Sequence, residues 1–302
     1  MLRWLKDIPV AERVIKVWPG IVKYVKKVSS GPKSKVPAVS SFQKLISHVQ
    51  DPLSVAKLQF FINVAEVLQP FLKQFQNDNP LLPFSAEELY SLLTVLLQRL
   101  IRPGVLEKAN TKTKLTAIDV MATENVVHPK HVDLGFATMQ HLRKAEKDKS
   151  ISDLQVLTFR KECILFLQKV CSKLMERSPL KYPCVRYIVS LNPNEIAKKP
   201  ESAKQMFQKL LQYLLDNKQL NTRTCDSVLD QYRKWISNIG ENKKDEYDTY
   251  RMDSSTGIDE LFFMDIGSNA EYKDLFSVVK DMLIISHIIY VFDLRIYVRN
   301  FL

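Results

Sequence analysis

Apolar residues recur at steps of three and four along most of this chain, the spacing of helices with one face to bury. Leu89, Leu92, Leu93, Leu96, Leu97 and Leu100 form one such stripe. Ser85 and Glu88 ahead of it read as a capping box, and Pro103 as its stop. Asp51-Pro52 predicts an N-cap and a first-turn proline for a helix whose face is Phe61, Val64, Leu68, Phe71, Leu72 and Phe75. Pro70 within that run predicts a kink. A long helix is expected from about Ser152, with Ile164, Leu167, Cys171 and Leu174 inward and Pro179 at its end. Three further stripes follow. They are Ala203, Met206, Phe207, Leu210, Leu211 and Leu214; then Cys225, Val228, Leu229, Tyr232, Ile236 and Ile239; then Tyr272, Leu275, Phe276, Val279, Met282 and Leu283. No fixed period of 30–50 residues relates them, which argues against a helical solenoid. The pattern predicts a mainly α protein.

Two stretches break the pattern. Residues 104–132 mix Thr, Asn, Lys and Pro with a short apolar run, Ile118 to Met121, and read as a long loop with one short strand. Residues 241–256 are polar and read as a linker before the last helices. From Ile288 the sequence IIYVFDLRIYVRNFL is dense in β-branched and aromatic residues without helical phase, an aggregation hazard unless covered.

Composition narrows the function. Only 7 of 302 residues are glycine, and all are isolated. Neither G-x-G-x-x-G nor a P-loop pattern occurs, so the sequence offers no glycine-rich phosphate cradle and no recognisable cofactor site. The four cysteines, Cys163, Cys171, Cys184 and Cys225, form no C-x-x-C pair and read as reduced thiols. No apolar signal segment opens the chain, and the longest apolar stretch, Met282 to Phe292, falls short of a membrane span. A nuclear or cytoplasmic protein, not secreted and without a membrane partner, is expected. The net charge of +11 is uneven: residues 1–36 hold nine Lys or Arg against Asp7 and Glu12. Anionic partners are favoured, mainly at that end.

No motif of a hydrolase or metalloprotease is present. His128 and His131 make half a metal site at best, with no cysteine nearby in sequence. Carboxylate pairs such as Asp245/Glu246 and Asp259/Glu260 read as solvated surface. No small-molecule substrate is suggested. The first segment is more informative. Arg3, Trp4, Trp18 and Tyr24 are interleaved with Lys16, Lys23, Lys26 and Lys27, a mixture suited to phosphates and to stacking of an unpaired base. The competing reading is structural: Val14, Ile15, Trp18, Ile21, Val22 and Val25 also form an apolar helical face, with Trp18 in the core and the lysines on the solvated side.

RWLKDIPVAERVI, from Arg3, resembles the Arg-Trp segment of hAT-superfamily DNA transposases. VAKLQFFINVAEVLQPFLKQFQ (55–76) is similar to the helix that opens their insertion domain. ERSPLKY (176–182) and DLFSVVKDMLIISH (274–287) look like later parts of the same proteins. The resemblance implies a helical insertion domain with incomplete scraps of a ribonuclease-H-like α/β core at both ends. It divides the chain into an Arg-Trp segment (1–36), an insertion domain (37–240), the linker (241–256), the start of a dimerisation region (257–287) and a divergent tail (288–302). It implies that Trp4 stacks on a flipped base beside Arg3, and that Leu275, Phe276, Val279 and Leu283 serve dimerisation. The family's two aspartates are expected upstream of Met1, and the segment carrying its glutamate is replaced here by IIYVFDL. Without those three carboxylates no metal-dependent strand transfer is expected. The leading expectation is a catalytically inactive transposase-derived protein with weak electrostatic affinity for DNA. Alternatives are a protein–protein interaction or dimerisation module, joining a second copy or a host protein, and a decayed transposon product without a function.

Overall fold

The structure is a computed structural model and describes residues 3–31, 37, 39–75 and 79–285; for 3–6 and 285 only the backbone is described. The elements in chain order are α1 (Arg3–Ser29), α2 (Ser40–Gln50), α3 (Ser54–Gln74), α4 (Leu82–Gln98), α5 (Pro103–Lys108), α6 (Lys112–Thr116), α7 (Phe136–Lys147) and α8 (Asp153–Arg177). Then come α9 (Pro183–Tyr187), α10 (Pro193–Lys198), α11 (Pro200–Asp216), α12 (Thr222–Asn242), α13 (Lys244–Thr249), α14 (Ile258–Phe262) and α15 (Lys273–Ile285). Among the described residues there is no strand; one isolated antiparallel bridge joins Ile101 to Val126. The protein is thus mainly α. Where α/β scraps are expected at the two ends, the described residues form the helices α1 and α15, and the tail 288–302 lies outside the described residues.

The predicted stripes become the core. Phe61, Val64, Leu68, Phe71, Leu72 and Phe75 of the α3 stripe are all buried, as are Leu89, Leu93, Leu96, Leu97 and Leu100 of the α4 stripe. α8 starts with the Ser152–Gln155 capping box, the serine hydroxyl accepting from Gln155 N–H and the glutamine returning to Ser152 N–H. Other starts are corrected. α4 begins at Leu82, a turn before the predicted box, because Pro83 sits in its first turn with φ already helical. Ser85 is then inside the helix, its hydroxyl donating back to the Leu82 carbonyl at 2.8 Å. Glu88 is half-buried there, and burial, reinforced by Glu87, pushes its pKa up. α3 begins at Ser54, two residues past Pro52, yet Asp51 still accepts from Leu53 N–H at 2.9 Å.

The two irregular stretches also fold differently. Residues 104–132 form α5, α6 and a single 3-10 turn at Pro129–His131, and Ile118 to Met121 is no strand. Their anchor is Arg99, whose side chain is only 6% exposed. Its Nη2 donates to Asn63 Oδ1 at 2.6 Å and, with Nε, to the Asp133 carbonyl at 3.2–3.3 Å. The guanidinium also lies 5.8 Å from the Phe60 ring centroid. Around it Arg102 N–H reaches Asn125 O and Val127 N–H reaches Leu100 O, both at 2.9 Å. The polar stretch 241–256 is not a free linker. It carries α13, and Tyr247 within it has no exposure at all. Tyr247 donates its hydroxyl to Asp265, which Lys243 also meets. Asn194 Nδ2 gathers the carbonyls of Tyr247, Asp248 and Tyr250 at 2.9–3.1 Å. Trp235 packs edge-on against Tyr232, Tyr247 and Phe262, closing this end of the molecule.

Two predictions concern the anchor. Gly135 has φ +80 and ψ 154, a region essentially reserved for glycine, and an added Cβ would sit 2.7 Å from the Asn63 amide. Gly135→Ala is expected to cost about 1–3 kcal/mol. Arg99→Met, which strands Asn63 Oδ1 and the Asp133 carbonyl, is expected to cost about 3 kcal/mol. Urea titrations of both variants check this; midpoints equal to the parent's would refute it.

A third concerns alkali. Burial raises the Cys171 thiol from 9.0 to about 12, despite the opposing pull of Arg99. Burial likewise raises Cys163 and Tyr247. These groups stay neutral when folded and ionise on unfolding. Their contribution is whole below the unfolded pKa and is lost as pH rises from the thiol's ordinary 9.0 toward about 12. The urea midpoint should fall steadily above pH ~9, and Cys163 and Cys171 should resist thiol reagents until the chain unfolds. Equal labelling of all four cysteines in the native state would contradict it.

Candidate nucleic-acid interface

α1 is 27 residues long, about 40 Å at 1.5 Å per residue. Its two ends are held differently. The first half is tied to α3 through Ile8 and Ala11, both buried in the main core, with Ile15 packed against them. The second half pairs with α2 instead. Val25 and Phe42 are 3% and 7% exposed but stand apart from the contiguous core, and Tyr24 meets Phe42 edge-on at 6.2 Å. The outer half of α1 and α2 therefore make a small hairpin of their own. Pro9 and Pro19 lie inside α1, both on its exposed side. A proline there costs a backbone hydrogen bond.

Lys16, Lys23, Lys26 and Lys27 are all exposed, as is Arg13. Lys16, Lys23 and Lys27 follow one stripe, spaced by seven and four, opposite the buried residues. No ion pair involves any of these five cations among the described residues. Lys26 and Lys27 also occupy the last turn of α1, where a cation stabilises a helix end by about 0.3–1 kcal/mol. From residue 13 to residue 50 there are eight Lys or Arg and not one Asp or Glu. Arg13 and Lys44 belong to that set but fall outside the interleaved aromatic and basic motif. The signal for them is the acid-free stretch rather than any local pattern.

Arg3 and Trp4 open α1, and their side chains lie outside the described residues. Along the helix they stand about 30 Å from Lys23, so the predicted stacking pair and the lysine group occupy opposite ends of one rod. Trp18 is half-buried, neither free nor in the main core as the structural reading expects.

The residues expected to serve dimerisation are placed elsewhere. Leu275, Val279 and Leu283 are buried within the chain, against α12 and the neighbouring turns. Leu275 N–H donates to Gln231 Oε1 at 2.8 Å, and Asp274 accepts from Ser227 at 2.7 Å. Phe276 is half-buried beside Phe263. Leu275, Val279 and Leu283 are spent on the fold itself, while Phe276 stays partly open beside the exposed Phe263.

Other clusters are less suggestive. A cleft of about 580 Å³ is lined by Lys112, Arg186, Lys199 and Lys209. Its charges are largely paired: Lys112 with Glu87 at 2.5 Å, Lys199 with Glu195 at 3.1 Å. Arg186 donates to the Leu180 carbonyl at 2.5 Å. His128 and His131 are exposed, their rings 6.3 Å apart, and His128 Nδ1 accepts from Lys130 N–H. Among the described residues no group of three or more His, Cys, Asp or Glu is placed to hold a metal, and no helix is long and apolar enough to cross a membrane. Comparison of the chain with protein-family models, with curated proteins and with solved structures finds no match.

Proposed function

We propose that this protein is a catalytically inactive relative of hAT-type transposases that binds nucleic acid through the outer face of α1. The observation that carries the reading is the unpaired cationic stripe of α1 within an acid-free stretch of 38 residues, 13–50. Exposed lysines on a rigid helix displace counterions from a phosphate backbone and gain affinity without base recognition. The hairpin of α1 and α2 carries them together along one helix. Arg3 and Trp4, carried over from the resemblance, add a stacking position at the start of the same helix.

Binding of a labelled DNA duplex to the full chain, measured by anisotropy across a salt series, tests this. The logarithm of affinity should fall linearly with that of salt. The triple change Lys23→Glu, Lys26→Glu, Lys27→Glu should reduce the slope by about 0.9 for each phosphate no longer neutralised. A DNA hairpin with one unpaired base should bind more tightly than the duplex. Trp4→Ala should remove about 1–3 kcal/mol of that preference without changing the salt slope. Binding indifferent to salt and to charge reversal would exclude the reading.

A further inference from the structure

A cleft of about 660 Å³ opens between the end of α3, the first turns of α4, the start of α10 and the segment after α13. Its size falls within the ~300–1,000 Å³ of sites that hold a ligand. Two of its lining side chains carry polar groups that the fold leaves unused. Asn192 is 6% exposed, and its Oδ1 accepts from Asn194 N–H at 3.0 Å. A backbone N–H can only donate, so the amide oxygen is fixed on that side and Nδ2 on the other. Among the described residues nothing accepts from this Nδ2, and a buried donor without an acceptor is destabilising. Glu88, half-buried on α4, makes no ion pair among the described residues. Burial raises its pKa, and Glu87 beside it raises it further. Glu87 is itself met by Lys112 at 2.5 Å.

These groups define the occupant. A half-buried carboxylate without a counter-ion is relieved by a positively charged donor, and the Asn192 amide needs an oxygen acceptor. The cleft's own cations, Lys73 and Arg251, are exposed and form no ion pair among the described residues, so neither serves Glu88. Tyr250 forms part of the wall, its ring nearly parallel to that of the buried Phe84 at 6.1 Å and its hydroxyl donated to the Thr256 carbonyl at 3.1 Å. A guanidinium suits such a wall better than an ammonium. It is planar, weakly hydrated, stacks on aromatic rings and pairs with a carboxylate through two N–H groups. An anion would meet Glu87, Glu88 and the exposed Asp253. We propose that this cleft binds an arginine residue, its guanidinium on Glu88 and its carbonyl on Asn192 Nδ2. The site goes beyond nucleic-acid binding and uses no residue of α1, so the two readings stand or fall separately.

Calorimetric titration of the full chain with the blocked tripeptide Gly-Arg-Gly tests this. Blocked Gly-Lys-Gly and Gly-Glu-Gly are run beside it, with agmatine, which has the guanidinium but no carbonyl, and free arginine, which has both but no flanking chain. Gly-Arg-Gly should bind at least about tenfold more tightly than either other tripeptide and than agmatine. Glu88→Gln keeps the shape of the side chain without its charge and should weaken binding at least about tenfold. Asn192→Asp keeps the oxygen that meets Asn194 N–H but removes the donor, and should cancel the advantage over agmatine. Both variants should leave duplex affinity within about twofold. A thermal melt by circular dichroism verifies each fold; if Asn192→Asp melts early, the agmatine comparison in the parent chain still reads the carbonyl contact. Tighter binding of the tripeptide than of free arginine supports a peptide as the source, and the reverse supports the free amino acid. Equal binding of the arginine and lysine tripeptides overturns the guanidinium assignment. Agmatine binding as tightly as Gly-Arg-Gly overturns the carbonyl contact. Affinity indifferent to Glu88→Gln, or no binding of any probe, overturns the site.

Discussion

The buried Arg99 guanidinium fixes how the first half of this protein is assembled. A charge that is 6% exposed has lost most of its water, and burial pulls its pKa down even with Asp133 nearby. An arginine keeps its proton under such conditions, so it must be met by fixed acceptors. Asn63 on α3 and the Asp133 carbonyl supply them, which brings α3, the end of α4 and the segment before α7 to one point. The irregular chain between residues 99 and 135 has few helical hydrogen bonds of its own. It is held by this centre, by the bridge from Ile101 to Val126 and by Gly135, whose backbone turns where no side chain would fit.

The second half of the fold rests on a different kind of centre. Trp235, Tyr232, Tyr247 and Phe262 meet edge-on, and Phe207 stacks on Tyr232 at 3.7 Å. The two tyrosine hydroxyls are satisfied, Tyr232 on the Ser190 carbonyl and Tyr247 on Asp265. This consumes the stripe of α15 and the polar stretch before it. Leu275, Val279 and Leu283 of that stripe are turned inward. The outer half of α1 and α2 draw on neither centre. They hold a small contact of their own, and they carry much of the cationic charge. Self-repulsion there weakens the hairpin, and an anionic partner would relieve it.

Much of the architecture is legible in the residue pattern. The stripes on α3, α4, α8, α11, α12 and α15 are readable because a single buried face enforces a three-four repeat, and the Ser152 cap because its partner lies three residues on. The start of α4 is ambiguous in sequence since Pro83 and Ser85 each give a valid local signal, and packing chose the earlier one. The cationic character of α1 is evident from composition. Which of its apolar residues are covered is not, since two apolar repeats overlap on one helix and burial alone separates them.

Sequence by itself determined that this protein is helical, which residues are apolar enough to bury, and that its first fifty residues are strongly basic. Those properties are local: they depend on side-chain chemistry and spacing along one helix. Tertiary structure decided the rest. It turned Leu275, Val279 and Leu283 into core, folded the polar 241–256 stretch around Tyr247, and left Val10, Val17 and Tyr24 facing outward. Which of several apolar faces is covered depends on contacts between residues far apart in the chain, and a repeat of three and four does not say which neighbour will meet it.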